Sequence, residues 1–389
     1  AISELLLDEF TRPWGEWAHR KGMVIRNQAH GSPANILDLY AGSDIPETEG
    51  SDLLRYKFAT SAAHVMAKRL VSSESLTWLN EHVLSTLSDE KKALDNYLLG
   101  GVNHIFYHGA AYSPVGDPWP GWLFYASVHF TPNDPSWRNF SKLNGYIARC
   151  QSFLQKGVQD NDVLLYFPIY DSWSERGMDL LKHYDRIEPE FKGTGFEECA
   201  AIMQEKGYAF DYVSDRQLQA AKAGNRGTKK IVEVLIQTAG GMYKTVVIPD
   251  CRLISTAAFE KLVELAQAGA SIIVYKNLPS DVPGWDSAKR RRAEFRILLD
   301  KLRKSRVQLG GEWSGIGKAT IGKGAFVMGD DLQRLLAYVR VRRERLVEDS
   351  LSFVRRKFED GYWDVLVNSG SKKWEGDVPL EAAFGGAAI

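Results

Sequence analysis

The sequence predicts an α/β protein in three parts. Residues 1–158 read as the C-terminal half of a parallel (β/α) barrel, 159–344 as a doubly wound, flavodoxin-like unit, and 345–389 as the start of a β-sandwich. Three observations carry this. In the first part, short apolar runs alternate with helical periodicity, and each run ends in polar or ionisable side chains. Beyond residue 160 the apolar runs become continuous, as in strands covered on both faces. From about Arg345 the pattern changes to the alternation of half-exposed strands.

The elements follow in order. Residues 2–21 form an amphipathic helix stopped by Gly22. A strand over 23–30 ends in polar groups, and 35–40 is a short helix. A second strand end, 44–49, is rich in carboxylates. The helix 55–69 sets Phe58, Ala62, Val65 and Met66 on one side. The third strand is 70–75, the segments 76–84 and 89–99 are helical with Ser88 as an N-cap, and the fourth strand is 102–108. Four strands are visible where a closed barrel has eight. The chain is therefore expected to be an internal piece of a larger polypeptide. After a helix over 142–158, strands at 162–168, 231–236, 244–249 and 271–275 alternate with helices near 175–184, 196–206, 255–268 and 288–304. Strands at 352–356 and 362–368 open the sandwich, and the tail 382–389 reads as unstructured.

Composition narrows the function. With 49 basic and 49 acidic residues the formal net charge is zero, against the Lys and Arg excess that phosphate backbones demand. The basic run 289–292 reads as a solvated helix face. No apolar run approaches the roughly 18 residues of a membrane span. Three widely spaced cysteines, Cys150, Cys199 and Cys251, give neither a disulfide framework nor zinc spacing. Asn139-Phe-Ser141 is a formal glycosylation sequon, of a kind that chance often supplies.

Chemistry concentrates early: seven of eight histidines and six of eleven tryptophans lie within the first 137 residues. Glu74 ends an apolar strand, where burying an unpartnered charge is costly; it is either a cleft carboxylate or a cap for the helix expected from Leu76. Glu47 and Glu49 offer further carboxylates on the neighbouring strand end, or are surface loop residues. Two opposed carboxylates are the minimum machinery for glycoside hydrolysis. His30, His104 and His108 also sit at strand ends. His104 and His108 share one face and read as sugar-hydroxyl partners, core histidines or, lacking a third ligand, a weak zinc pair. His64 reads as structural. Trp78, Tyr107, Tyr112, Trp119 and Trp122 are stacking platforms for a pyranose or core residues, Trp119 leading among them because it lies in a Pro- and Gly-rich loop. Cys251 follows a strand but has no nucleophile elbow. The glycines at 315, 317, 322 and 324 complete neither a dinucleotide fingerprint nor a phosphate loop.

The run Phe58-Ala-Thr-Ser-Ala-Ala-His-Val-Met-Ala-Lys-Arg-Leu-Val-Ser-Ser-Glu-Ser-Leu-Thr-Trp78 resembles glycoside hydrolase family 106, the α-L-rhamnosidases. So do Gly101-Val-Asn-His-Ile-Phe-Tyr-His-Gly109, Pro118-Trp-Pro-Gly-Trp-Leu-Phe-Tyr-Ala-Ser127, Gln28-Ala-His-Gly31 and Asp44-Ile-Pro-Glu-Thr-Glu49. The resemblance implies a barrel, an accessory α/β domain and β-sandwich modules. It implies an inverting reaction on terminal α-L-rhamnose in a rhamnose-containing oligosaccharide or glycoside, with calcium gripping the sugar hydroxyls. By position Glu74 resembles the family's general base, with Glu49 beside it and Glu47 or Glu49 binding ion or sugar. The general acid is expected from an earlier barrel strand, so the isolated chain is expected not to turn over. The resemblance favours a secreted or periplasmic enzyme. The rival expectation is a non-catalytic carbohydrate-binding or structural piece of a larger glycosidase; four further βα units upstream would decide for the enzyme.

Overall fold

The computed structural model describes residues 1–79, 83–175, 184–188, 190–227 and 232–381. Its first sheet is parallel: β1 (Arg26–Asn27), β2 (Ile45–Thr48), β3 (Ser72–Ser75) and β4 (His104–Tyr107), in that spatial order. Helices Ile36–Gly42, Leu53–Val65 and Leu87–Leu99 connect successive strands. Each begins on a side-chain cap: Asn35 accepts from Leu37 N, Asp52 from Leu54 N, and Thr86 exchanges bonds with Asp89 in a capping box. The box displaces Ser88 from the expected cap position. The helix expected from Leu76 is not seen at residues 76–79. Leu76 leaves β3 in the left-handed region at φ 70° and residues 76–79 run as loop; residues 80–82 lie outside the described ones.

The second sheet has seven strands. Val163–Tyr166, Phe210–Val213, Thr245–Ile248, Ser271–Tyr275 and Gly324–Gly329 run parallel, in spatial order 2-1-3-4-5 counted along the chain. Gly317–Ile321 and Arg306–Gln308 extend the sheet antiparallel beyond the fifth. The glycines at 322 and 324 belong to a two-residue hairpin turn, with Ile321 opposite Gly324 and Gly322 at φ 62°. The strand expected at 231–236 forms as Val232–Gln237 but leaves this sheet. It pairs antiparallel with Lys222–Gly227 and Met242–Tyr243. Glu233 explains the difference: a strand covered on both faces has no room for a carboxylate, and here Glu233 pairs with Lys244. Most of the helix expected near 175–184 and the tail 382–389 fall outside the described residues; Ile169–Trp173 is the helix seen nearby.

The two sheets share one core. Helix Leu53–Val65 was expected to bury one side, yet nearly every residue from Arg55 to Val65 is buried, while Met66 is exposed. The helix lies along Phe210–Val213, the edge strand of the second sheet. Ser61 Oγ accepts from Tyr212 N at 2.8 Å and Lys57 Nζ donates to Phe210 O at 2.8 Å. An open edge is thereby covered by side chains. His64 Nδ1 meets Asp211 Oδ1 at 2.8 Å, with Tyr243 OH donating to Asp211 Oδ2 at 2.9 Å. Phe58, Phe167, Phe196 and Tyr212 interlock across the junction, with centroids 4.7–6.2 Å apart. Val158–Gln159, Leu351–Lys357 and Tyr362–Asn368 make a small antiparallel sheet where the sandwich strands were expected. Arg355 locks it, meeting Glu344 at 2.6 Å and Asp364 at 2.9 Å. Among the described residues no helix is long and apolar enough to cross a membrane.

Burial pushes the Asp211 carboxyl up, but the His64 imidazole, its hydrogen bond and the Lys57 ammonium outweigh this and leave it below the ordinary value. A depressed folded-state value adds stability above the unfolded value of about 3.9, lost as pH falls through the lower folded value. Asp211→Ala is therefore expected to destabilise the chain by about 3 kcal/mol at neutral pH, on the scale of a broken buried pair. The deficit should shrink below about pH 4. Urea unfolding across pH 3–7 checks both.

Candidate active site

Strand register decides which side chains meet. Glu47, Ser72 and His104 stand in one row across β2, β3 and β4, and Glu74 and Phe106 in the next. Successive side chains alternate in direction. Arg26, Glu47, Ser72, Glu74, His104 and Phe106 therefore share one face, which Glu49, one residue past β2, extends. The opposite face, carrying Ser73, Ser75, Ile105 and Tyr107, packs against the helices. A face so polar, with Phe106 39% exposed, is not a core face.

In the first row Glu47 Oε2 accepts from Ser72 Oγ at 2.7 Å and meets Arg26 Nε at 3.2 Å. The Arg26 guanidinium lies 3.7 Å from the centre of the Phe106 ring, and His104 stands edge-on to that ring at 4.7 Å. Desolvation and the Arg26 charge lower the His104 pKa against the pull of Glu47, which favours the neutral imidazole.

In the second row Glu49 Oε1 receives Arg55 Nη2 at 2.9 Å, with His30 Nε2 at 3.6 Å. Arg55 Nε in turn meets Asp185 Oδ2 at 2.9 Å. Glu74 Oε1 accepts from the Thr77 hydroxyl at 2.7 Å, and among the described residues no Lys or Arg pairs with it. The backbone beneath these carboxylates is braced. Tyr56 OH donates to Gly50 O at 2.8 Å, and Tyr97 OH lies 2.7 Å from Gly50 O and 3.1 Å from Glu74 O. Tyr97 thus ties the end of β2 to that of β3. Gly50, at φ 99°, admits the guanidinium: a Cβ there would meet Arg55 Nη1 at 2.7 Å.

The structure brings His30, Glu47, Glu49, Glu74 and His104 to one face. His108, one residue past β4, has its ring 5.4 Å from that of Phe124. Tyr107 stands apart on the opposite face, between Phe130 at 4.8 Å and Phe140 at 5.2 Å. Burial, with Glu90 nearby, pushes its phenol up to about 12. Trp78 lies half-buried against the core in the loop after β3. Trp119 is exposed and donates from Nε1 to Asn133 O at 3.0 Å. It shares its loop with exposed Tyr112, Trp122 and Tyr125. Among the described residues no three His, Cys, Asp or Glu side chains group to hold a metal ion. Glu47, the expected calcium ligand, is engaged through Oε2 by Arg26 and Ser72. Cys251 is buried, and burial with Asp171 and Asp250 nearby pushes its thiol up, the reverse of what a nucleophile needs.

Sequence reasoning missed Arg26, Arg55, Tyr97 and Asp185. Arg26, a charge directly following the apolar Met23–Ile25 stretch, was the readable one. The partners of Tyr97 and Asp185 lie 23 and 130 residues away, beyond any local pattern.

Carboxylates gathered at the carboxyl ends of parallel strands, backed by a second α/β layer, define a fold shared with glycosidases. The chain superposes on a rhamnosidase from Novosphingobium sp. PP1Y with TM-score 0.70 and 21% identity, over 94% of this chain and 33% of that one. A β-galactosidase from Bacillus circulans sp. alkalophilus matches with TM-score 0.60 and 10% identity, over 94% and 61%. The model of the α-L-rhamnosidases, glycoside hydrolase family 106, matches residues 38–378, and the chain belongs to that family. It is also 22% identical over 384 residues to a Formosa agariphila protein named "Putative beta-glucuronidase", across 96% of this chain and 28% of that protein. The chain thus spans about a third or less of the length of these first two relatives.

Tyr97→Phe removes the hydroxyl between two strand ends while Tyr56 still serves Gly50. The expected loss is about 1 kcal/mol, the scale of one hydrogen bond, with the fold retained. Denaturant unfolding with circular dichroism checks it.

Proposed function

We propose that the protein carrying this chain is a glycoside hydrolase that releases terminal α-L-rhamnose, with Glu74 as its general base. The observation that carries this is the state of the carboxylates. Glu47 and Glu49 are each held by an arginine, whereas Glu74 is met by a hydroxyl and shares their face. In an inverting reaction a base must hold water against the anomeric carbon and take its proton as the C–O bond forms. Glu74 fills that role. Glu49 stands beside it, aimed at the substrate's hydroxyls, and the proton for the leaving oxygen comes from an acid on another barrel strand. In this reading β1–β4 are half of a (β/α) barrel, and further polypeptide pairs with the free edges of β1 and β4. The order 2-1-3-4-5 makes the second sheet flavodoxin-like. The antiparallel hairpin near the C-terminus begins a β-sandwich. His30, His104 and His108 meet sugar hydroxyls, and Trp78 and Trp119 offer ring faces.

A 6-deoxy sugar suits this face better than a uronic acid. Arg26 and Arg55 are both paired, so neither is left for a uronate carboxylate, while the exposed part of Phe106 offers apolar surface to a methyl group.

The test uses the full-length protein on 4-nitrophenyl α-L-rhamnoside, β-D-glucuronide and β-D-galactoside. Rhamnoside hydrolysis is expected, and turnover of the glucuronide alone would sink the substrate reading. Glu74→Gln should lower kcat by about 10²-fold or more, the scale of a lost general base; near-native turnover would pass the role to Glu49 or Glu47. Cys251→Ser, buried in the segment after Thr245–Ile248, should leave kcat within about twofold, since a buried, inert thiol takes no part.

A further inference from the structure

We infer that Asp185, from the second α/β unit, is a positioning residue for Glu49, acting through Arg55. This rests on the reading of Glu49 as a substrate-facing carboxylate. The chain of contacts is short and buried. Asp185 is 1% exposed and Arg55 7%. The guanidinium spends Nε on Asp185 and Nη2 on Glu49, each at 2.9 Å. A planar fork with both arms occupied has little freedom, so the position of Asp185 fixes the direction from which Glu49 is held. Asp185 is itself fixed by packing. Its neighbours Tyr184 and Ile187 are core residues, and the Tyr184 ring stands edge-on to Trp173 at 6.2 Å. The Phe191 N–H closes the turn on Ile187 O at 2.7 Å. Segment 184–188 therefore reaches from the second unit to the carboxyl end of β2. Gly50 leaves the space the guanidinium occupies. A brace that served stability alone would have no need to end on a carboxylate of the open face. The second unit is thus part of the catalytic apparatus through a residue that holds Glu49 by way of Arg55.

The experiment compares the full-length protein with Asp185→Asn and Arg55→Lys. Asn keeps the shape of Asp185 without its charge, and Lys keeps the charge of Arg55 without the fork. Two readouts are taken on proteins whose circular dichroism is native. One is kcat and KM on 4-nitrophenyl α-L-rhamnoside. The other is the rate at which a carbodiimide and glycine ethyl ester modify Glu49 relative to Glu47, read by peptide mass spectrometry. Both variants should label Glu49 several-fold faster and lower kcat by about 10- to 100-fold, as expected for a displaced group, with KM within about twofold. Unchanged labelling, or faster labelling with native kcat, overturns the proposal. If the native protein does not hydrolyse rhamnosides, the substrate reading falls, and the labelling decides this proposal alone: a rise supports it and no rise overturns it. If Arg55→Lys fails to fold, Asp185→Asn carries the comparison.

Discussion

The structure depends on helix Leu53–Val65 being buried on all sides. A helix between two sheets must satisfy both with one sequence, and this one does so by size and by polarity. Ala59, Ala62 and Ala63 are fully buried, and their small side chains let the neighbouring layers approach closely. Its polar residues then serve backbone groups that the approach would leave stranded. Thr60 Oγ1 donates to Gly100 O at 2.8 Å on one side, and Ser61 receives the Tyr212 N–H on the other. The first turn carries Arg55 and Tyr56 to the end of β2, while His64, in the last turn, reaches Asp211 in the second sheet. The carboxylate face and the accessory layer are therefore held by opposite ends of one rigid rod.

Three carboxylates on one face would repel one another if left bare. The fold separates them by environment. Glu47 is almost buried and engaged by Arg26 and Ser72; Glu49 is engaged by Arg55; Glu74 is engaged by Thr77. Similar side chains on β2, one residue past it, and on β3 thus receive different partners. The difference lies in the partners: a strand arginine and serine for Glu47, a helix arginine for Glu49 and a loop threonine for Glu74.

Much of this was legible in the sequence, and the reasons are local. The four strand ends of the first sheet were found because each couples an apolar run to ionisable residues within a few positions. That reading put His30, Glu47 or Glu49, Glu74 and His108 on one open face; the structure has His30, Glu47, Glu49, Glu74 and His104 there. Tyr107 was misplaced because the alternation within β4 that sends it to the core was not followed out from His104. Val232–Gln237 was assigned to the wrong sheet because Glu233 was passed over in an otherwise apolar run. The strand Phe210–Val213 was missed because its Asp211 reads as a strand breaker until its partner, His64, is known. The caps and the two-residue turn at Gly322 have short-range signatures; the Arg55–Asp185 and Tyr97 contacts have none, since they exist only once the chain has closed on itself.

The shared core also bears on how such a protein can change over generations. Two layers that meet at a loop can be exchanged as modules by recombination, because each brings its own interior. Here the interior of one layer is a helix of the other, and its edge strand is completed by Ser61 and Lys57. A crossover between the layers would strip both at once, so they can be inherited only as a single block.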